Sequence, residues 1–304
     1  MKKISIITVN FNQPGVTREL LLSIQQVNTY KDIEIIVVDN GSTTGKVTEL
    51  IPQFTDVKFI RSEANLGFAG GNNIGIAAAT GDYFFLVNTD TEFTPDLVQK
   101  LVDVLDQHPE VGMVSPRIQF FPDTGMTQYA GSTQINFITG RNKMIGKFQR
   151  NGDDFNSVIG PTAYIHGAAV MVKREVIDKA GPMHESYFLY YEEVDWCEHV
   201  KKAGYKLWVR GDAVIYHKES ISVGKKSWLK EYFMTRNRIL FTRRNASPVV
   251  VFLFYIYFLL IVAPRNILGY IKSGNTEFIK YLFKAIWWNF THKKDSHDLG
   301  VTLK

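Results

Sequence analysis

The chain has 304 residues, enough for one large domain with an appendage or for two modest domains. Hydrophobic residues make up 45% of it, which excludes a disordered chain, and a single cysteine, Cys197, excludes both a disulfide framework and a multi-cysteine metal site. The net charge is only +5, which identifies no partner until its distribution along the chain is known.

Met1-Lys2-Lys3 ahead of an apolar run at 4–9 has the outline of a secretory signal. Asn10, Asn12 and Gln13 end the run after six residues, however, too soon for a signal core, so a buried first strand is expected. Further strands buried on both faces are predicted at 33–38, 57–60, 83–87 and 111–114. Helices are predicted at 16–26, 46–51, 72–79 and 95–107, the last with Thr94 as cap and Pro95 at its first position. Residues 117–165 carry Gly, Asn, Asp and Thr clusters without periodicity. A helix at 193–203 should stop at Gly204, followed by short strands at 207–209 and 213–216. This alternation implies an α/β domain with a mostly parallel sheet, in which ligands bind beyond the carboxyl ends of the strands.

Those ends are polar: Thr8-Val9-Asn10, Asp39-Asn40-Gly41-Ser42, Asn65-Leu66-Gly67 through Asn73, and Asn88-Thr89-Asp90. Each has an ordinary structural reading. Asp39–Ser42 suits a turn, Gly67, Gly70 and Gly71 suit tight packing or a helix start, and Asp90 suits a cap. Converging on one edge, they supply a carboxylate for a base or ribose, small residues for close backbone approach and a carboxylate for a cation. That combination outlines a nucleotide-diphosphate site. Neither a dinucleotide fingerprint nor a P-loop motif is present.

Downstream, aromatic residues 187–191 precede Glu192, Glu193 and Asp195. Acidic residues in a first helical turn favour the helix dipole, and a carboxylate walled by aromatics also makes a general base, because burial raises its proton affinity. His217 closes the last strand and, with Asp90 available, suits a metal ligand.

Taken in order, these segments, with Gly167-Ala168-Ala169 and Tyr216-His217-Lys218, resemble glycosyltransferase family 2, and within it the bacterial rhamnosyltransferase-like branch, over about residues 3–244. The resemblance implies a GT-A fold in residues 1–217 and inverting transfer from a nucleotide-diphospho-sugar, assisted by Mg²⁺ or Mn²⁺. It places Thr8, Asn10, Asp39, Asn65, Gly67, Gly71, Asn73, Asn88, Thr89 and Asp90 around the nucleotide-sugar, and Asp90 with His217 on the metal. Glu193 becomes the catalytic base, with Asp195 or Glu192 as alternatives, and His166, Tyr191 and Trp196 face the acceptor. Asn88 stands where the family's D-x-D motif begins with aspartate, and Glu193 replaces the usual aspartate. The implied donor is deoxythymidine-diphospho-rhamnose, with galactofuranose or another hexose as alternatives. The implied acceptor is a lipid-linked saccharide used in surface-polysaccharide assembly. A nucleotidyltransferase and a non-catalytic sugar-nucleotide-binding scaffold are the competing readings.

The charge separates along the chain: residues 1–217 carry a net −5 and residues 218–304 a net +10. Residues 245–264 hold no charge, and a 20-residue helix is about 30 Å long, the thickness of a bilayer core. Pro248 and Pro264 are expected to limit the uninterrupted helix to residues 249–263. Together with lysines and tryptophans at 280–288, this implies a C-terminal helical region lying in or dipping into an anionic membrane surface, on the cytoplasmic face of the plasma membrane. No helix-turn-helix, RNP-type or zinc-finger pattern accompanies the basic region, so nucleic acid is not an expected partner.

Overall fold

The computed structural model describes residues 1–150, 155–218 and 227–303. The apolar runs form β1 (Ile4–Asn10), β2 (Ile33–Asn40), β3 (Val57–Ser62) and β4 (Tyr83–Val87), all mutually parallel in the order β3-β2-β1-β4. Beyond β4 the sheet continues through β9 (Ala169–Lys173), β6 (Val111–Phe120), β10 (Lys206–His217) and β5 (Thr91–Phe93). Two short strands, β7 (Thr127–Tyr129) and β8 (Ile159–Pro161), pair with β6 and β10. Strand β9 escapes the sequence reading, and it runs antiparallel to both β4 and β6. Because it runs backwards, the chain enters it at the edge where β4 ends, and Asn88 N–H donates to Ala168 O (2.9 Å).

Alternation along β1 sends Ile4 and Ile6 to one face and Ile7 to the other, giving two cores. The first is covered by α1 (Pro14–Val27) and α3 (Leu97–Gln107). The second is covered by α2 (Gly67–Ala78), α4 (Arg174–Ala180) and α5 (Glu192–Lys202). The segment expected as a helix at 46–51 is a single 3₁₀ turn, Val47–Leu50. Thr94 does not cap α3: its hydroxyl donates to Val214 O, Pro95 lies in a turn, and Asp96 takes the position before the helix at φ 59°. The two short strands expected around 210 are one strand, β10, irregular between Arg210 and Val214.

The C-terminal third is α6 (Trp228–Asn245), α7 (Pro248–Lys272) and α8 (Glu277–Thr291). Leu240 and Phe241 of α6 join the second core, so the change of charge at 217 is not matched by a gap in packing. Helix α7 corrects the sequence expectation, because Pro264 does not end it. Proline lacks an N–H and crowds the carbonyl four residues back. Here residues Phe258–Val262 widen into a π turn, with Ala263 N–H bonded to Phe258 O five residues earlier, and the helix continues to Lys272. Its 25 residues make it long and apolar enough to cross a membrane.

Candidate active site

The carboxyl edge of the sheet carries the polar strand ends, and the structure sorts them into residues that face outward and residues that build the edge. Asp39 lies at the end of β2 with its Oδ1 accepting from Ser42 N–H (3.1 Å) and its Oδ2 from Arg61 (2.6 Å). Arg61 spans the strand end, donating also to Ser42 O (2.9 Å), and remains partly exposed. Asp39 and Arg61 together therefore offer a polar, charge-paired wall.

Several other expected nucleotide contacts are occupied within the protein. Asn10 is fully buried: its amide donates to Ser42 Oγ (3.1 Å) and its Oδ1 accepts from Thr17 and Gln13. Thr8 lies beneath the edge, 1% exposed, with no hydrogen-bond partner for its hydroxyl among the described residues. Asn65 Oδ1 accepts from Gly67 N–H and the Asn40 amide, closing its own turn. Asn73 clasps Met183 through both backbone groups and Glu185 through its carboxylate. The glycines belong to helix α2 rather than to a phosphate loop. At Gly67, φ is +72° and a Cβ would collide with Phe188 O, whereas a Cβ on Gly71 would come within 2.6 Å of Val9. Both allow close approach of protein to protein.

At the end of β4, Asn88 is half-buried, and Thr89 and Asp90 are buried. Strand β5 pairs with the end of β10, and Thr91 lies opposite His217, which brings Asp90 Oδ1 within 3.2 Å of His217 Nε2. The other ring nitrogen, Nδ1, is 2.8 Å from the Oε1 of buried Gln128. With Nδ1–H donating to Gln128 Oε1, a neutral His217 would present its Nε2 lone pair toward the Asp90 carboxylate. In that tautomer a lone pair and a carboxylate oxygen would face each other, an arrangement that would suit a divalent cation. Imidazole with carboxylate suits Mn²⁺, and a carboxylate alone serves Mg²⁺. Among the described residues no group of three acidic, His or Cys side chains gathers here, so donor phosphate oxygens are needed to complete such a site.

The turn leading into β9 links this pair to the acidic helix. His166 Nδ1 accepts from Ala168 N–H (3.1 Å), which places its proton on Nε2, and its ring centroid is 6.0 Å from that of His217. Burial pushes the His166 pKa down to about 3, so the ring is neutral and a donor. On the opposite side of the same turn, a Cβ built on Gly167 would lie 3.5 Å from Glu193 Cγ. Glu193 therefore rests on the turn that carries His166. It is half-buried, and burial raises its pKa against the opposing pull of backbone N–H groups at the start of α5.

Helix α5 places the three acidic candidates in different surroundings. Glu192, Asp195 and Trp196 are buried together, whereas Glu193 lies about 100° around the helix from Glu192. Asp195 accepts from Tyr187, Arg244 and Asn245, so its Oδ1 is a structural anchor. Glu192 is buried, and burial and the Glu193 charge raise its pKa well above the carboxylate range. Trp196 corrects the acceptor expectation: it is 1% exposed, packs in the second core and donates its indole N–H to Gly181 O (2.9 Å). Tyr191 is half-buried and caps α5 at φ 75°.

Sequence reasoning missed the residue that shapes the approach to this helix. Phe188, Tyr190 and Tyr191 all take left-handed backbone at φ 62°, 69° and 75°, a conformation costly for residues with a Cβ. The buried Asn237 of α6 donates its amide to the carbonyls of Tyr187 (2.8 Å), Leu189 (2.7 Å) and Tyr190 (2.8 Å). Arg236 holds Asn237 Oδ1 (2.8 Å) and donates to Ser186 O. An Arg-Asn pair inside a helix of low amphipathicity gives no motif that would have identified it.

The profile of glycosyl transferase family 2 matches residues 5–181, more than half of the chain. This protein belongs to glycosyl transferase family 2. A Mycobacterium tuberculosis N-acetylglucosaminyl-diphospho-decaprenol L-rhamnosyltransferase is 24% identical over 235 residues, covering 70% of this chain and 75% of that protein. An uncharacterised Sinorhizobium fredii protein is 28% identical over 251 residues, 80% of this chain, which spans only 27% of that longer relative. Among solved structures, a mannosyltransferase from Pyrobaculum calidifontis in complex with GDP-Man and Mn²⁺ superposes with a TM-score of 0.58 at 15% identity, over 95% of this chain and 87% of that one. The fold of this glycosyltransferase is GT-A.

Proposed function

We propose that this glycosyltransferase moves a sugar, with inversion, from a nucleotide-diphospho-sugar to a hydroxyl of a lipid-linked saccharide, with Glu193 as general base. The observation that carries this reading is the convergence of Glu193, His166 and the Asp90–His217 pair on one turn at the carboxyl edge of the sheet. Asp90 and His217 would hold the Mg²⁺ or Mn²⁺, which supplies Lewis-acid neutralisation of the departing nucleoside diphosphate. Asp39 and Arg61 would contact the nucleoside, and Asn88 and Thr89 would line the sugar-phosphate side. Glu193 takes the acceptor proton as the new bond forms, and its raised proton affinity brings it closer to the pH of the cell. His166, held neutral with its proton on Nε2, would orient an acceptor oxygen without delivering a full charge.

The rhamnosyltransferase relative makes a rhamnose donor and a diphospho-lipid acceptor the first to test. An apolar face supports action at a membrane. On α7, Val249, Phe252, Leu253, Ile256 and Leu260 are exposed, and on α8 Phe283, Trp287 and Phe290 repeat at helical spacing. With the basic charge of residues 218–304, that face suits the cytoplasmic leaflet of the plasma membrane, where lipid-linked precursors are held. The deciding experiment incubates the enzyme with a panel of nucleotide-sugars, with and without EDTA. Nucleoside diphosphate release that depends on acceptor and metal is expected. Pyrophosphate release would mean a nucleotidyltransferase, and binding without turnover would mean a scaffold.

A further inference from the structure

A second concave site lies where α6, α7 and the loop at 140–142 meet. It is a cleft of about 290 Å³ whose walls include Arg141, Tyr191, Glu231, Arg238, Phe258 and Asn266. That volume is just below the range of pockets that enclose drug-sized ligands, about 300–1,000 Å³, and suits a headgroup. Arg238 forms its floor: one guanidinium nitrogen donates to Thr139 O, the guanidinium carbon lies 5.6 Å from the Phe258 ring centroid, and Nε is buried with no partner among the described residues. Burial disfavours its charge, as do the nearby charges of Arg141 and Arg265. Among the described residues, none of these three arginines has a carboxylate within ion-pair distance. The carboxylate in the lining, Glu231, accepts instead from the Tyr270 hydroxyl (2.6 Å). Two guanidinium groups, Arg141 and Arg238, line the cleft against the single carboxylate of Glu231, and Arg265 adjoins the lining residue Asn266. Positive charge is therefore in excess and favours a strongly anionic ligand.

Two further placements identify that ligand. Phe258 and Asn266 belong to α7, the helix with the exposed apolar face, so a ligand here has its tail beside an apolar surface. Tyr191, also in the lining, is the cap of α5, two residues before Glu193. We propose that this cleft binds the phosphate or diphosphate of the lipid-linked acceptor, with Arg141, Arg238 and Arg265 as its counter-charges and Tyr191 separating it from the base. This assignment rests on the transferase reading above and adds the place where the acceptor is held.

Full-length protein in neutral detergent micelles is titrated with geranylgeranyl diphosphate, with uncharged geranylgeraniol and with inorganic pyrophosphate. Arg141→Gln, Arg265→Gln and the double variant are compared, since both side chains are exposed and their loss leaves the core intact. The prenyl diphosphate should bind at least about tenfold more tightly than the alcohol, and each variant should lose about tenfold, with deoxythymidine diphosphate binding unchanged. Unaltered prenyl diphosphate affinity in the double variant overturns the assignment. So does equal affinity for the alcohol, and pyrophosphate binding as tight as the prenyl diphosphate overturns the lipid source. A chain that shows this charge-dependent lipid binding but transfers no sugar refutes the transferase reading alone. One that transfers sugar with unaltered lipid affinity in the double variant refutes the cleft alone.

Discussion

Replacing Asn237 with leucine removes the amide that reaches three carbonyls and the Oδ1 that accepts from Arg236, and keeps the branched side-chain skeleton, so the effect is not one of cavity formation. A typical buried hydrogen bond contributes about 0.5–1.5 kcal/mol, and stranding its carbonyl acceptor costs a comparable amount. The carbonyl of Tyr187 keeps a long contact with Arg236 (3.4 Å), so the loss is not complete at every acceptor. A destabilisation of about 2–4 kcal/mol is expected from these contacts. The larger consequence is local, because Tyr190 and Tyr191 hold left-handed backbone at a cost of about 1–3 kcal/mol each and relax once the amide is gone. Glu193 follows directly, and a displacement near 1 Å at a reacting group costs about 100-fold in turnover. Asp39, Asp90 and His217 stand on strand ends that Asn237 does not touch, so KM for the donor should change less than about threefold while kcat falls. Denaturant unfolding and steady-state kinetics on the same preparation test both parts. A variant with wild-type midpoint and wild-type kcat would refute the claim that this amide positions the base.

Glu193→Gln should reduce kcat by about 10²–10⁴-fold with donor binding retained, measured by product formation and nucleotide titration. The acid limb of kcat/KM should lie above the ordinary carboxylate range, because burial raises the Glu193 pKa and the base must be ionised to act; a limb at or below that range counts against it. Glu192→Gln should stabilise the fold by about 1 kcal/mol or more at pH 8, with no gain at pH 4. The sign follows from a native pKa raised above the unfolded one: stability falls as pH rises through the interval between them, and a neutral amide escapes that loss. Trp196→Phe should lower stability by about 1–2 kcal/mol through a lost buried donor, with acceptor KM unchanged. Serine at Phe252, Leu260 and Trp287 should weaken flotation with anionic liposomes without shifting the unfolding midpoint, because all three side chains are exposed.

The fold class was legible because the apolar runs of β1, β4 and β6 are buried on both faces, as inner strands of such sheets are. The run of β3, expected to be buried likewise, is only half-buried because it lies at the sheet edge. Strand β9 was missed, although Ala169–Val172 is a short apolar run like the others, and its direction depends on pairing with distant β4 and β6. Helix α7 was misjudged at Pro264 because a local breaker rule takes no account of a π turn that accommodates the ring. At the site, residue types located the edge but not the role of each group. Asn, Gly and Thr fit a nucleotide pocket and its scaffold equally well, and only their hydrogen bonds separate Asn10 and Asn73 from Asp90. The choice among Glu192, Glu193 and Asp195 required the helix phase, which the boundary at Tyr191 sets.

The segregation of charge takes on a physical meaning once both sites are located. Transfer brings together two anionic reactants, a nucleotide-diphospho-sugar and, on the proposed reading, a lipid diphosphate, and an acidic catalytic domain repels both. On the proposed reading the donor diphosphate meets Asp90 and His217, which would bind it through a cation, so attraction for the diphosphate would come with the metal. For the acceptor the proposed cleft would supply the guanidinium charges of Arg141 and Arg238, which persist without metal. The two affinities should therefore respond differently to chelation. EDTA should weaken donor binding strongly and leave prenyl diphosphate binding within about twofold, a contrast measurable by parallel titrations of one sample. Loss of both together would mean that the two anions share the metal and that the arginine cleft is not a separate site.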